Sequence, residues 1–133
     1  MRKYLLPYFA ALVVLLALDA LWLGWIATDW YETATGHLAA EVPSLGAAAS
    51  FYLIFPVGVM VFVVQPGEGR TRRWVIARGA LFGFVAYATY NLTNLATLAD
   101  WPVYISVLDM AWGSAVTALV ALSARVCVDA QRR

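Results

Sequence analysis

The sequence has little charge and almost none of the residues on which disulfides and metal sites depend. One Cys and one His among 133 residues exclude a disulfide framework, a thiol redox pair and a His/Cys metal cluster, so no metal and no cofactor is predicted. No serine-hydrolase, zinc-protease or nucleotide-binding motif occurs. Only 13% of the residues are charged, and nine Lys and Arg against eight Asp and Glu leave no basic excess for a phosphate backbone. Nucleic acid is therefore not an expected partner.

Hydrophobic residues are abundant instead, at 63% of the chain, and they gather in four long runs. A bilayer core of about 30 Å needs roughly 20 helical residues to cross it. Runs of that length lie at about 4–28, 47–65, 74–98 and 103–126. We therefore predict one membrane domain over residues 1–133, an all-α integral membrane protein built as a bundle of four transmembrane helices in the lipid bilayer. A short interfacial helix is expected around 35–41.

The basic residues all lie at one end of these predicted helices. They are Arg2, Lys3, Arg70, Arg72, Arg73, Arg78, Arg125, Arg132 and Arg133. The opposite connections carry Asp29, Glu32, Glu41 and Asp100, with no Lys or Arg. Because Lys and Arg near helix ends stay on the cytoplasmic side, we predict a multi-pass protein with both termini cytoplasmic.

Several aromatic residues fall at the expected membrane interfaces, which are enriched in Trp and Tyr. Tyr4, Tyr8 and Trp74 match the inner interface, and Trp25, Trp30, Tyr31, Trp101 and Tyr104 match the outer one. Other aromatic residues lie inside the spans, beside the few strongly polar side chains found there. Together these form the candidate ligand-binding set: Asp19, Trp22, Tyr52, Tyr87, Tyr90, Asn91, Asn94, Asp109 and Trp112.

The members of this set share a depth and a helical face. At a rise of 1.5 Å per residue, Asp19, Tyr52, Asn91 and Asp109 lie about 8 to 13 Å below the outer ends of their four helices. On the third helix, the spacing i, i+3, i+4, i+7 from Tyr87 places the tyrosines and asparagines on one face. Gly79 and Gly83 extend that face and predict a close approach to a neighbouring helix.

The two intramembrane carboxyl groups are the most informative residues. An Asp near the centre of a membrane helix costs roughly 2.5–3.5 kcal/mol on insertion scales, and no basic residue is predicted at the depth of Asp19 or Asp109. Protonation, hydrogen-bond donors or a hydrated cavity must offset that cost. A simpler explanation is that the two carboxyl groups only hold helices together through interhelical hydrogen bonds. Such hydrogen bonds contribute only about 0.6 kcal/mol each, which is little against the cost of burying an Asp.

The chain also resembles a known family along essentially its whole length. The residues that carry the resemblance are Leu18-Asp19-Ala20-Leu21-Trp22, Tyr90-Asn91-Leu92-Thr93-Asn94-Leu95 and Asp109-x-x-Trp112-Gly113. They are similar to small bacterial four-helix inner-membrane proteins catalogued as a domain of unknown function. The resemblance implies a location in the bacterial inner membrane and assigns no activity. The chain has Asn91 where the family pattern more often has Asp, so an ionised group at that position is not essential here.

Three interpretations of function follow from the sequence. In the first, the polar and aromatic residues form a pocket in the outer half of the bundle that binds a small amphipathic or lipid-like molecule. Asp19 and Asp109 would anchor the ligand or act as acid and base, and the sequence leaves open whether the protein is an enzyme. In the second, the protein is a small proton-coupled transporter acting as a parallel homodimer. In the third, the cluster only packs helices together, and the protein is a structural or accessory subunit.

Overall fold

The computed structural model describes residues 2–132, and every regular element in that range is helical. A 3₁₀ turn at Arg2–Tyr4 leads into α1 (Leu5–Leu21), which continues as a π-helical turn, Trp22–Ile26. The remaining elements are α2 (Thr28–Thr35), a 3₁₀ turn (Gly36–Leu38), α3 (Leu45–Val59) with a π-helical turn (Met60–Val64), α4 (Arg72–Thr97) and α5 (Val103–Ala130). The all-α prediction is confirmed, and Arg133 lies outside the described residues.

Three of these segments are long and apolar enough to cross a membrane. They are Leu5–Ile26, Leu45–Val64 and Val103–Ala130. The remaining predicted span, 74–98, forms the 26-residue helix α4, which is long enough but less apolar. Arg78 near its start and the Tyr and Asn residues near its end lower its hydropathy. The same polar residues that mark the candidate site therefore weaken the hydropathy of this helix.

Local capping explains where two of the long helices begin. The Ser44 hydroxyl accepts a hydrogen bond from the backbone N–H of Ala47 at 3.3 Å, and the Thr71 hydroxyl accepts one from Trp74 at 3.3 Å. Helix α5 begins at Val103, directly after Pro102, and has no side-chain cap. Proline fixes its own backbone near the entry to a helix, so a sharp start there needs no capping carboxylate.

The connection between α1 and α3 differs from the predicted one. The helix expected at 35–41 is instead α2, Thr28–Thr35, which begins immediately after the π-helical turn. The hydrogen bonds of a π-helical turn span one residue more than those of an α-helix. The turn is followed by Thr28, whose hydroxyl donates to the carbonyl oxygen of Leu23 at 2.7 Å. Residues 39–44 are not helical. As a result α2 lies close to the ends of α1 and α5 rather than further along the connection.

Helices α4 and α5 form the most extensively packed pair, and small residues bring them together. Gly83 lies so close to α5 that a Cβ there would overlap the Gly113 carbonyl oxygen and the Thr117 side chain. A Cβ on Gly79 would meet the backbone of Ala118 and the side chain of Ala121 at 3.0–3.1 Å. The predicted close approach at both glycines is confirmed. An apolar core centred on Leu15, Val59, Val75, Val116 and Val120 lies alongside this contact.

The basic residues meet at one end of the helices. Glu68, between α3 and α4, accepts hydrogen bonds from Tyr4 and Lys3 and pairs with Arg132. The Tyr4 hydroxyl and then Lys3 hold the pKa of Glu68 below its ordinary value. The buried Arg125 donates to the carbonyl oxygens of Gly67 and Arg70 and to Asp129, so one guanidinium fixes the α3–α4 connection against α5.

Candidate functional site

Asp19 lies on the inward face of α1 and is only 4% exposed. Its carboxylate accepts hydrogen bonds from two other helices. The Tyr52 hydroxyl on α3 donates to Oδ2 at 3.1 Å, and the Trp112 indole N–H on α5 donates to Oδ1 at 3.2 Å. The sequence spacing cannot show this convergence, because Tyr52 and Trp112 are 33 and 93 positions away from Asp19.

Asp109, on α5, has its own pair of donors. The Tyr31 hydroxyl on α2 donates to Oδ1 at 2.6 Å, and the Asn91 amide on α4 donates to Oδ2 at 2.6 Å. The same amide donates to the carbonyl oxygen of Tyr87 at 3.0 Å, and Asn91 is 1% exposed. Each carboxylate therefore has both oxygens occupied by uncharged donors, with no basic side chain in either set.

A pair of stacked indoles joins the two carboxylate clusters. The rings of Trp22 and Trp112 are 4.4 Å apart and nearly parallel, at 4°. Trp112 donates to Asp19, while the Trp22 indole N–H donates at 3.4 Å to the hydroxyl of Tyr31, which in turn donates to Asp109. Trp22 belongs to the π-helical turn, and such turns often occur at functional sites. The Asp-x-x-Trp pattern, which occurs at Asp19 and again at Asp109, thus places its two tryptophan rings face to face.

These groups line a cavity of about 590 Å³ between the helices. Seven of the nine predicted ligand-binding residues are on its wall: Asp19, Tyr52, Tyr87, Tyr90, Asn91, Asp109 and Trp112. The other two, Trp22 and the half-buried Asn94, do not line the cavity. Trp22 stacks on Trp112, which does line it. The volume is within the range of small-molecule sites, which is roughly 300–1,000 Å³. Ligand binding by these residues stays a prediction.

Three further residues with hydrogen-bonding side chains line the cavity without having been predicted to do so. They are Tyr31 and Trp101, which the sequence assigns to the outer interface, and Thr35, which it places at the start of the expected interfacial helix. Burial and the hydrogen bond to Asp109 raise the pKa of Tyr31, so its hydroxyl stays protonated and donates. The one available signal is the spacing of Tyr31 and Thr35 at i, i+4 on a helix, which indicates a shared face once the start of α2 is known.

The cavity wall has a distinctive chemistry. It contains two carboxyl groups, four tyrosine hydroxyls and one carboxamide, but no Lys, Arg or His. Most of the remaining wall is aromatic or aliphatic, including Leu23, Phe51, Phe55 and Ile105. Such a wall can receive a hydroxyl or a cation at the carboxylates and an apolar chain elsewhere. Among residues 2–132, no group of three or more His, Cys, Asp or Glu side chains is placed to hold a metal ion.

Comparisons with known proteins identify a family and no closer relative. The model of a family described as predicted membrane proteins, DUF2177, matches residues 4–126. No curated protein and no solved structure matches the chain. The resemblance found in the sequence is thereby confirmed for the family, which is one of unknown function.

Proposed function

The chain belongs to the DUF2177 family of predicted membrane proteins, and we propose that it binds a small amphipathic molecule inside the membrane. The ligand has a cationic or hydroxyl-bearing head group and an apolar body. Its head group lies at Asp19 and Asp109, and its body lies against the aromatic wall. The observation that carries this proposal is that two carboxyl groups line one cavity that has no basic side chain.

The energetic argument starts from the cost of the carboxyl groups. Two aspartates near the middle of a membrane cost roughly 5–7 kcal/mol on insertion scales. Four hydrogen bonds from Tyr52, Trp112, Tyr31 and Asn91 offset part of that cost. At about 0.6 kcal/mol for an average intramembrane bond, the four supply only about 2–3 kcal/mol. Binding of a cation or a proton at the carboxylates accounts for the difference better than packing does.

The proposal includes the arrangement in the membrane. All four long helices, α1, α3, α4 and α5, are taken to cross the bacterial inner membrane, with the basic end in the cytoplasm. The tight packing of the less apolar α4 against α5 supports this arrangement, because it removes the polar face of α4 from lipid. The cavity then lies in the outer half of the bundle.

The test compares three probes with one alkyl chain and different head groups: dodecyltrimethylammonium, dodecanol and dodecanoate. Thermal unfolding is measured in lipid nanodiscs for the unmodified chain, Asp19→Asn, Asp109→Asn and the control Asp29→Asn, which removes a carboxylate outside the cavity. We expect the cation, and less strongly the alcohol, to stabilise the unmodified chain and the control. Both cavity variants should lose most of the response to the cation. Equal responses to all three probes, or an unchanged response in the cavity variants, would contradict the proposal.

A second candidate function uses the same carboxyl groups for proton-coupled transport by a parallel homodimer. The proximity of two titratable carboxyl groups in one cavity favours it. Trp112 donates to Asp19 and Tyr31 donates to Asp109, and Trp22 stacks on the first of these donors and donates to the second. This candidate requires flux in liposomes that depends on a pH gradient and is abolished by Asp19→Asn or Asp109→Asn. If the double Asp→Leu variant is more stable and fully active in cells, both candidates fail and a structural or accessory role remains.

A further inference from the structure

A second groove lies on the outside of the helices, near the basic end and away from the cavity. It has a volume of about 320 Å³ and is lined by Phe62, Arg78, Leu81, Phe82 and Val85. The four residues from α4 follow the spacing i, i+3, i+4, i+7, which places them on one face of that helix. The groove therefore has one charged end and an otherwise apolar wall.

The packing of two phenylalanine rings shapes the apolar part. The rings of Phe62 and Phe82 stack with centroids 5.8 Å apart, and Gly58 lets the Phe82 ring approach α3, since a Cβ there would be 3.0 Å from its tip. Phe62, Leu81 and Val85 are each more than half exposed. On a helix that crosses a bilayer, such exposed apolar side chains face acyl chains.

Arg78 supplies the charged end. It lies six residues beyond the start of α4, about 9 Å along the helix, and its guanidinium is 5.3 Å from the centre of the Trp74 ring. Among residues 3–132, whose side chains the structure describes, no carboxylate pairs with Arg78 and no acceptor receives a hydrogen bond from its guanidinium. Its N–H donors suit a phosphate group, which guanidinium binds through two parallel hydrogen bonds.

We propose that this groove binds one anionic phospholipid from the leaflet at the basic end. Its phosphate is held by Arg78, and the first part of an acyl chain lies along Phe62, Phe82 and Val85. An anionic phospholipid matches the groove in charge and polarity. Its phosphate is complementary to the cation Arg78 at the level of the headgroups, and its acyl chain matches the apolar wall that faces the lipid. The inference is independent of the ligand proposed for the cavity, since the two sites share no residue.

The test is native mass spectrometry of the detergent-solubilised chain with equal amounts of phosphatidylglycerol and phosphatidylcholine. Arg78→Gln is compared with Arg73→Gln, which removes the same charge from an exposed position outside the groove. Since the Arg78 guanidinium hydrogen-bonds the phosphate in the proposed complex, we expect Arg78→Gln to weaken phosphatidylglycerol binding about tenfold, which corresponds to about 1.4 kcal/mol. Arg73→Gln should bind as the unmodified chain does. Val85→Trp, which fills the groove and keeps the charge, should also lower lipid retention.

Five results would overturn the inference. The first is full retention of phosphatidylglycerol by Arg78→Gln, and the second is a loss by Arg73→Gln as large as that by Arg78→Gln. The third is binding of phosphatidylcholine as strong as that of phosphatidylglycerol. Full competition by glycerol phosphate would show that a free phosphate suffices. The spectra also report the mass of the complex, and a dimer that dissociates in Val85→Trp would assign the groove to a second copy of the chain instead. Retained intrinsic tryptophan fluorescence and thermal unfolding verify that each variant is folded.

Discussion

Replacing Gly83 by alanine should destabilise the protein, although alanine is the better helix former. The new Cβ would overlap the Gly113 carbonyl oxygen and lie 2.6 Å from the Thr117 Cβ, both on α5. Neither group is the free end of a flexible side chain, so the two helices must move apart. Overpacking of this kind costs about 1–3 kcal/mol, and the gain in helix propensity returns about 0.5–1 kcal/mol. We therefore expect a net loss of about 1–2 kcal/mol in the free energy of unfolding.

The same substitution at two other glycines provides an internal scale. At Gly79 the nearest atoms of α5 are 3.0–3.1 Å from the new Cβ, so Gly79→Ala should cost less than Gly83→Ala. At Gly46 nothing lies within 4 Å, so Gly46→Ala should be neutral or slightly stabilising. The assay is reversible unfolding in mixed micelles by titration with sodium dodecyl sulfate, followed by tryptophan fluorescence. A Gly83→Ala variant as stable as Gly46→Ala would refute the account of how α4 and α5 pack.

Further predictions concern the basic end and the arrangement in the membrane. Arg125→Ala should cost about 1–3 kcal/mol in the same titration, because it leaves the Gly67 carbonyl oxygen without its buried donor, while Asp129 keeps Arg72 as a partner; an effect below about 0.5 kcal/mol would contradict this. Because the pKa of Glu68 is lowered in the folded state, its carboxylate stabilises the fold at pH values above the unfolded pKa of about 4.3. This stabilisation is lost as the pH falls through the lower pKa of the folded state. Glu68→Gln should therefore be less stable than the unmodified chain at neutral pH, and the difference should vanish in acid; a constant difference would exclude the carboxylate as its cause. A cysteine at Glu32 in a Cys127→Ser background should react with an impermeant thiol reagent from outside the cell, and labelling only from inside would reverse the proposed orientation.

The sequence predicts the helices and seven of the sixteen residues that line the cavity, because polar residues are rare in apolar helices. Asp19, Asn91 and Asp109 are conspicuous for that reason, and the helical period alone places Gly83 on the same face as Tyr87. Tyr31 was assigned elsewhere because its position depends on the π-helical turn at Trp22–Ile26, which shifts the start of α2 and which no residue pattern indicates.

Hydrogen bonds between distant positions could not be predicted either. Two asparagines on α4 have similar surroundings in the sequence, yet Asn91 reaches Asp109 while Asn94 does not line the cavity. On a helix with 3.6 residues per turn, side chains three positions apart point in directions that differ by about 60°. That rotation is small enough for both to share a broad face, so only the packing of α5 distinguishes them.

The most direct test of the central claim is an experimental map of the protein purified from its native membrane with the cavity intact. The account predicts elongated density that is not protein, with one end within hydrogen-bonding distance of Asp19 and Asp109 and the other against the aromatic wall. The same preparation of an Asp19→Asn, Asp109→Asn double variant should lack that density. A cavity filled by rearranged side chains, or density unchanged in the double variant, would contradict the claim that the carboxylates hold a ligand.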